Sequence, residues 1–192
     1  LPYELCYTNI LTVLDLAAVP LLATDRDAAQ PLVLGGGAGA MNPEPVADFF
    51  DAILLGDGEE AILDIAYALI AAKRQRTGKK ELLQRLAAIA GVYVPSLYVP
   101  EYGPDGRIVA IRPTGSAPPA VSRRVLPDLD AIDHLLAPIV PNAKIIHDRL
   151  SIEIARGCSR GCRFCQAGMT YRPVRERTPE AIMELAQAGI AN

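Results

Sequence analysis

Short apolar runs alternate with amphipathic segments along the first half of the chain. The runs at residues 31–35 and 51–56 each end in glycine, as buried strands that lead into a turn often do. Apolar positions spaced by three and four, or a proline suited to a first helical turn, predict helices. Strand, turn and helix then repeat, which predicts an α/β fold with a parallel sheet and right-handed crossovers. The predicted helices cover residues 5–18, 43–50, 59–75 and 79–90.

The second half of the chain predicts a hairpin, a linker and one more strand and helix. Strands at residues 92–99 and 107–111 flank a turn rich in glycine, proline and aspartate. Residues 113–129 are rich in proline and predict a linker. Alternation over residues 149–155 predicts a strand. A threonine, a proline and a glutamate in succession then predict a helix over residues 178–188.

These elements suggest three parts. We expect a partial Rossmann-like domain at residues 1–78, a connector at 79–148 and the start of another domain at 149–192. Ligands of parallel sheets bind at the carboxyl ends of the strands, where glycine lets them approach the main chain. A tight turn without a ligand explains the same glycines equally well. The candidate cofactor-binding glycines are Gly35, Gly36, Gly37 and Gly39.

Composition narrows the class of protein. The chain has 192 residues, of which 51% are hydrophobic and 21% charged, as in a globular protein with a buried core. Its net charge of -3 gives no general argument for nucleic-acid binding. We expect no membrane span and no signal peptide. Few, grouped cysteines suit a reducing compartment, so the expected location is the cytoplasm.

The strongest chemical signal is a cluster of cysteines. Three of the four cysteines lie within eight residues, with the spacing Cys-x3-Cys-x2-Cys. Thiolates at such spacing hold iron–sulfur clusters, and the glycines between and beside them let the loop fold tightly. Three ligands leave one iron of a 4Fe-4S cube free for a small molecule. The predicted metal ligands are Cys158, Cys162 and Cys165, whereas the isolated Cys6 is interpreted as a small buried side chain.

Other interpretations of these cysteines stay open. A zinc site needs four ligands, and His147 is the residue that could complete a Cys3His set. A disulfide is a poorer explanation because the triple is odd, and an electron-carrying cluster normally uses four cysteines. Six arginines and one acid between residues 156 and 177 suit either an anionic ligand or the charge of a cluster.

The stretch Cys158-Ser-Arg-Gly-Cys-Arg-Phe-Cys165 resembles the signature of radical S-adenosylmethionine (radical SAM) enzymes, in which an aromatic residue precedes the last cysteine. The resemblance implies that Phe164 lies beside the adenine of S-adenosylmethionine. It also implies that the free iron binds the amino and carboxylate groups of that cofactor. An electron from the cluster then cleaves the sulfonium to methionine and a 5′-deoxyadenosyl radical. A flavodoxin- or ferredoxin-type protein is the implied electron donor.

The whole chain resembles a largely uncharacterised bacterial family of radical SAM proteins with an N-terminal cobalamin-binding-like domain. The resemblance implies that the glycine loop faces the nucleotide tail of cobalamin. It also implies that the cysteine loop belongs to the first β/α unit of a partial TIM barrel. The chain begins with Leu1 and stops after one predicted helix, so we expect a fragment that is inactive alone, with an unknown substrate. The matching blocks are PYELCYTNILTVLDLA, NPEPVADFFDAILLGDGEE and EIARGCSRGCRFCQAGMTYRPVRER.

Overall fold

A computed structural model describes residues 1–132, 142–143, 146 and 149–191. The chain divides into two compact units, Leu1–Val125 and Leu126–Asn192. The predicted division into three parts stays a prediction. Unit 1 contains helices α1 (Tyr7–Leu16), α2 (Ala61–Gln75) and α3 (Lys79–Ala87), and strands β1 (Leu34–Gly35), β2 (Ala52–Leu54), β3 (Val92–Tyr93), β4 (Tyr98–Tyr102) and β5 (Ile108–Pro113). Unit 2 contains β6 (Ala155–Arg156), α4 (Ala167–Thr170), β7 (Arg175–Glu176) and α5 (Pro179–Ala191).

The central sheet of unit 1 has three strands in the order β1-β2-β3. The predicted parallel pair is present, because β1 runs parallel to β2. β3 instead runs antiparallel to β2, with Ile53 opposite Tyr93. Residues 92–93, which were predicted to belong to the hairpin, thus form the third strand of this sheet, whereas the α/β class is confirmed.

Both faces of this sheet are buried. Side chains alternate between the two faces of a strand, so Ala52 and Ile53 enter different hydrophobic clusters. On one face Ile53 packs with Phe50 and Tyr93. On the other, Ala52 packs with residues of α2 and α3. This burial explains why β2 reads as a continuous apolar run.

The predicted hairpin forms, with shifted bounds. β4 and β5 pair antiparallel from Tyr98 to Tyr102, opposite Pro113 to Ile108. Pro95 begins a short 3-10 helix that ends at Leu97. The proline interrupts the predicted strand at residues 92–99, so its first part joins the central sheet and its last part joins the hairpin.

A buried charge cluster anchors the amino end of β2. Asp51 is 2% exposed and accepts hydrogen bonds from Arg26 Nε at 3.1 Å and the Val33 amide at 2.8 Å. Lys79 Nζ lies 2.7 Å from the other carboxylate oxygen. Removing one partner from a buried ion pair typically costs about 3–5 kcal/mol of stability. The cluster therefore ties the segment before β1 and the start of α3 to the sheet.

The predicted linker is tied to unit 1 at Arg124. The Arg124 amide donates to the Leu55 carbonyl at 2.7 Å, and the Arg124 carbonyl accepts from the Asp57 amide at 3.0 Å. Gly56 lies between these partners with φ +106°, and a Cβ there would lie 2.0 Å from the Arg124 carbonyl oxygen. The main chain at Arg124 thus forms an isolated parallel bridge with Gly56, just beyond the carboxyl end of β2.

Unit 2 is built around a short antiparallel pair. Ala155 pairs with Glu176, and Arg156 pairs with Arg175. The predicted strand at residues 149–155 shortens to Ala155–Arg156, and its partner β7 was not predicted. The helix start at Thr178 is confirmed, because its hydroxyl accepts from the Ala181 amide at 3.3 Å. Across the described part of the chain, every helix is too short or too polar to span a bilayer.

Candidate functional site

The cysteine loop leaves β6 and returns to β7, so the β6–β7 pair closes its base. Cys158 and Cys165 are half-buried and Cys162 is exposed, and all three are free thiols. The Cys165 amide donates to the Cys162 carbonyl at 3.1 Å, which makes the second half of the loop a tight turn. The three predicted ligands therefore lie on one short, accessible loop.

Gly157 lets two segments of unit 2 cross closely. Its φ is +97°, a left-handed conformation that favours glycine. A Cβ at this position would lie 2.2 Å from the Pro173 carbonyl oxygen and 2.4 Å from that of Tyr171. Gly157, which immediately precedes Cys158, therefore packs directly against the main chain of Tyr171 and Pro173. This contact fixes the position at which the cysteine loop begins.

A surface cavity of about 330 Å³ lies in the second half of the loop. Cys162 and Cys165 both line it, together with Phe164 and Met169. Phe164 is 92% exposed and Met169 is 67% exposed, which is unusual for side chains of this size. The structure therefore brings two of the three cysteines and the predicted adenine-stacking residue to one cavity.

Cys158 is not among the residues that line this cavity. Its sulfur instead accepts a hydrogen bond from the Arg160 amide at 3.4 Å. Within residues 1–132, 142–143, 146 and 149–191, no three histidine, cysteine, aspartate or glutamate side chains are arranged to hold a metal ion. His147, the alternative fourth ligand, lies outside the described residues. Ligation by all three cysteines thus requires Cys158 to join the other two.

Three of the six arginines near the loop have structural partners. Arg156 makes two hydrogen bonds to the Glu153 carboxylate, both at 2.8 Å. Arg175 is 7% exposed and donates to main-chain carbonyls, including that of Leu126 at 2.8 Å. Arg177 is 6% exposed and donates to the carbonyls of Glu153 and Leu129. These three arginines therefore stabilise unit 2 through hydrogen bonds between its segments.

The other three arginines face solvent. Arg160, Arg163 and Arg172 are exposed, and within the described part of the chain their side chains form no ion pair. Arg163 also lines the cavity beside Cys162. The positive charge available to an anionic ligand or partner at the loop therefore comes from these three side chains.

The carboxylate of Asp130 contacts Arg177 and Thr178, the two residues that connect β7 to α5. Asp130 accepts a hydrogen bond from the Thr178 amide at 2.9 Å and lies 3.4 Å from Arg177 Nη1. The hydrogen bonds from the Thr178 amide and hydroxyl hold the pKa of Asp130 below its ordinary value. Sequence reasoning missed this half-buried residue, because its partners Arg177 and Thr178 are distant in sequence and leave no local pattern.

The predicted glycine loop lies at the carboxyl end of β1, as expected. Its inner side contacts the main chain of Leu1: the Leu1 nitrogen donates to the Gly36 carbonyl at 2.8 Å, and the Gly39 amide donates to the Leu1 carbonyl at 2.8 Å. A Cβ at Gly37 would lie 2.9 Å from the Leu1 oxygen. Glycine is thus needed here for close packing of the chain on itself.

The comparisons with known proteins concern unit 1. Residues 1–95 match a family model described as the N-terminal region of radical SAM proteins. The match supports a radical SAM protein, a class that uses S-adenosylmethionine and usually a 4Fe-4S cluster. It ends before the cysteine loop, so it does not bear on the predicted metal ligands. No curated protein and no solved structure matches the chain.

Proposed function

We propose that the cysteine loop is the cluster-binding loop of a radical SAM enzyme, with Cys158, Cys162 and Cys165 as ligands of a 4Fe-4S cluster. The single observation that carries the proposal is that two of these thiols and the exposed Phe164 share one cavity. The family match to residues 1–95 supports the same class independently. When bound, such a cluster supplies the electron that cleaves S-adenosylmethionine to a 5′-deoxyadenosyl radical.

In this proposal the residues of the chain bind the cluster and orient S-adenosylmethionine. The thiolates hold iron, and the close crossing at Gly157 fixes the start of the loop. The Phe164 ring offers an apolar face for the adenine, because it is exposed beside the cavity. Arg160, Arg163 and Arg172 give the loop a positive surface, which suits an acidic flavodoxin- or ferredoxin-type donor. A cytoplasmic, reducing location suits exposed free thiols.

Cobalamin binding at Gly35, Gly36, Gly37 and Gly39 stays a prediction from resemblance. The position at the end of β1 favours a ligand site. The Leu1 main chain, however, lies against the side of the loop formed by Gly37 and Gly39. We therefore derive no chemical step through cobalamin. The partial TIM barrel and the Rossmann-like domain remain proposals of the same kind.

Metal analysis tests the proposed function against a non-catalytic metal-binding module. We expect the chain, reconstituted with iron and sulfide in the absence of oxygen, to retain iron and acid-labile sulfide in equal amounts, as a 4Fe-4S cluster requires. The chain purified without reconstitution serves as the control for metal acquired in the cell. Zinc that stays bound without sulfide would contradict the proposal and favour the metal-binding module.

A further inference from the structure

Unit 1 contains a cavity of about 470 Å³ among residues remote in sequence from the cysteine loop. This volume lies within the range of about 300–1,000 Å³ that is typical of small-molecule sites. The cavity is lined by residues of the short helix Glu44–Phe49, by β3 and β4, and by Asp51 and Lys79. Three tyrosines and two further carboxylates contribute to it: Tyr93, Tyr98, Tyr102, Glu44 and Asp48.

The cation that lines this cavity is already paired with a buried carboxylate. Lys79 Nζ lies 2.7 Å from an Asp51 oxygen and donates to the carbonyls of Arg26 at 2.7 Å and Ala23 at 3.2 Å. Two of its three N–H donors are thus used by carbonyls, and Asp51 is its ionic partner. Lys79 therefore serves to compensate Asp51 rather than the other carboxylates of the lining.

The carboxylates that line the cavity still have acceptor capacity. Glu44 Oε1 accepts a hydrogen bond from the Tyr93 hydroxyl, and Oε2 has no partner within the described part of the chain. Asp48 is exposed and makes no ion pair or side-chain hydrogen bond with any described residue. A carboxylate can accept several hydrogen bonds. What the cavity lacks is therefore a positively charged donor.

The aromatic lining favours the same kind of ligand. The rings of Tyr93 and Tyr98 pack with their centroids 4.8 Å apart, and Tyr102 is 63% exposed at the cavity. The faces of tyrosine rings attract cations electrostatically. Burial, and then the hydrogen bond to Glu44, raise the pKa of Tyr93. Its hydroxyl therefore stays protonated and donates to Glu44.

We propose that this cavity binds an organic ammonium group, with Glu44 and Asp48 as the anionic partners and the three tyrosine rings as the apolar wall. Charge-assisted hydrogen bonds to the carboxylates and cation–π attraction to the exposed Tyr102 ring would act together on such a group. The site does not depend on the cysteine loop. Its ligand class follows from the free carboxylate acceptors of Glu44 and Asp48 and from the exposed Tyr102 ring.

Isothermal titration calorimetry of the 192-residue chain with benzylammonium chloride, whose N–H groups can donate to carboxylates, tests this site. We expect saturable binding of the cation. Benzyl alcohol and sodium benzenesulfonate, the neutral and anionic analogues, are expected to bind at least about tenfold more weakly, because each charge-assisted contact contributes about a factor of ten. Equal binding of the sulfonate, or no saturable binding of the cation, would overturn the proposal.

Variants assign the binding to the cavity. The double change Glu44→Gln and Asp48→Asn is expected to weaken cation binding by about tenfold or more, while both side chains keep their shape. Asp15→Asn, which removes an exposed charge on α1, is the matched control and is expected to leave affinity unchanged. If circular dichroism shows that the double variant is unfolded, Tyr102→Ala replaces it, with an expected loss of about two- to fivefold. An affinity unchanged in a folded cavity variant would show that the cation binds elsewhere.

Discussion

Replacing Cys158 with alanine is expected to remove iron and sulfide from the reconstituted chain almost completely. The three thiolates are the proposed ligands, and two remaining cysteines cannot hold three irons of a cube. Changes to residues that only support metal ligands already cost about 10–100-fold in affinity, so losing a ligand should cost at least as much. Iron and acid-labile sulfide per chain, with the visible absorbance of the cluster, measure the effect.

Cys6→Ala is the matched control for this substitution. Cys6 is the one cysteine of the sequence that lies outside the cysteine loop. It immediately precedes α1 in unit 1 and is half-buried like Cys158. We expect this variant to keep the iron and sulfide of the unaltered chain. Full metal content in Cys158→Ala, or its loss in Cys6→Ala alone, would mean that the cysteine loop is not the cluster site.

Gly157→Ala is expected to lower cluster content nearly as much, although it leaves every thiol in place. Its Cβ would lie 2.2 Å from the Pro173 oxygen, so the two segments must separate by about 1 Å to reach ordinary contact. Metal sites tolerate deviations of about 0.2 Å in ligand distances. Moving the start of the loop therefore displaces the Cys158 thiolate from the position that it needs to bind iron. Iron and sulfide per chain measure the resulting loss of cluster.

The Gly161→Ala variant distinguishes the effect of the close contact at Gly157 from the effect of backbone strain alone. Gly161 also has a positive φ, +72°, but the nearest atom to an added Cβ is the Arg172 guanidinium at 3.5 Å. We expect this variant to carry the cost of a left-handed alanine, about 1–2 kcal/mol, while it retains most of the cluster. Equal losses in the two variants would indicate that glycine is needed in the loop only for its backbone freedom.

The elements that followed from periodicity match the structure most closely. The predicted helix at residues 59–75 corresponds to Ala61–Gln75, and the predicted strand at 51–56 corresponds to Ala52–Leu54. An apolar run reports burial on both faces, which β2 has, but it carries no information on strand direction. The antiparallel pairing of β3 was therefore not predictable from the pattern.

The sequence pattern did not show which arginines are buried, and this was its main failure. Arginine is usually exposed, so Arg175 and Arg177 read as part of a basic surface although both are buried and bonded to carbonyls. Arg26 is likewise buried against Asp51. Such partners are distant in sequence and leave no local pattern. Tyr93, Tyr98 and Tyr102 likewise line one cavity that only the fold shows.

The cysteine motif was accessible from the sequence because its chemistry is local. Three ligands within eight residues need no long-range contact to be recognised. The structure adds the closure of the loop by β6 and β7, the contact at Gly157 and the cavity shared by Cys162, Cys165 and Phe164. These features depend on residues on both sides of the loop.

Electron paramagnetic resonance of the reduced, reconstituted chain tests the central claim most directly. The spectrum is recorded with and without S-adenosylmethionine, and with S-adenosylhomocysteine, which lacks the sulfonium, as the control ligand. A cluster with a free iron is expected to give a signal that shifts when S-adenosylmethionine binds. A cluster signal that is identical in all three samples, or no cluster signal at all, would contradict a radical SAM site formed by Cys158, Cys162 and Cys165.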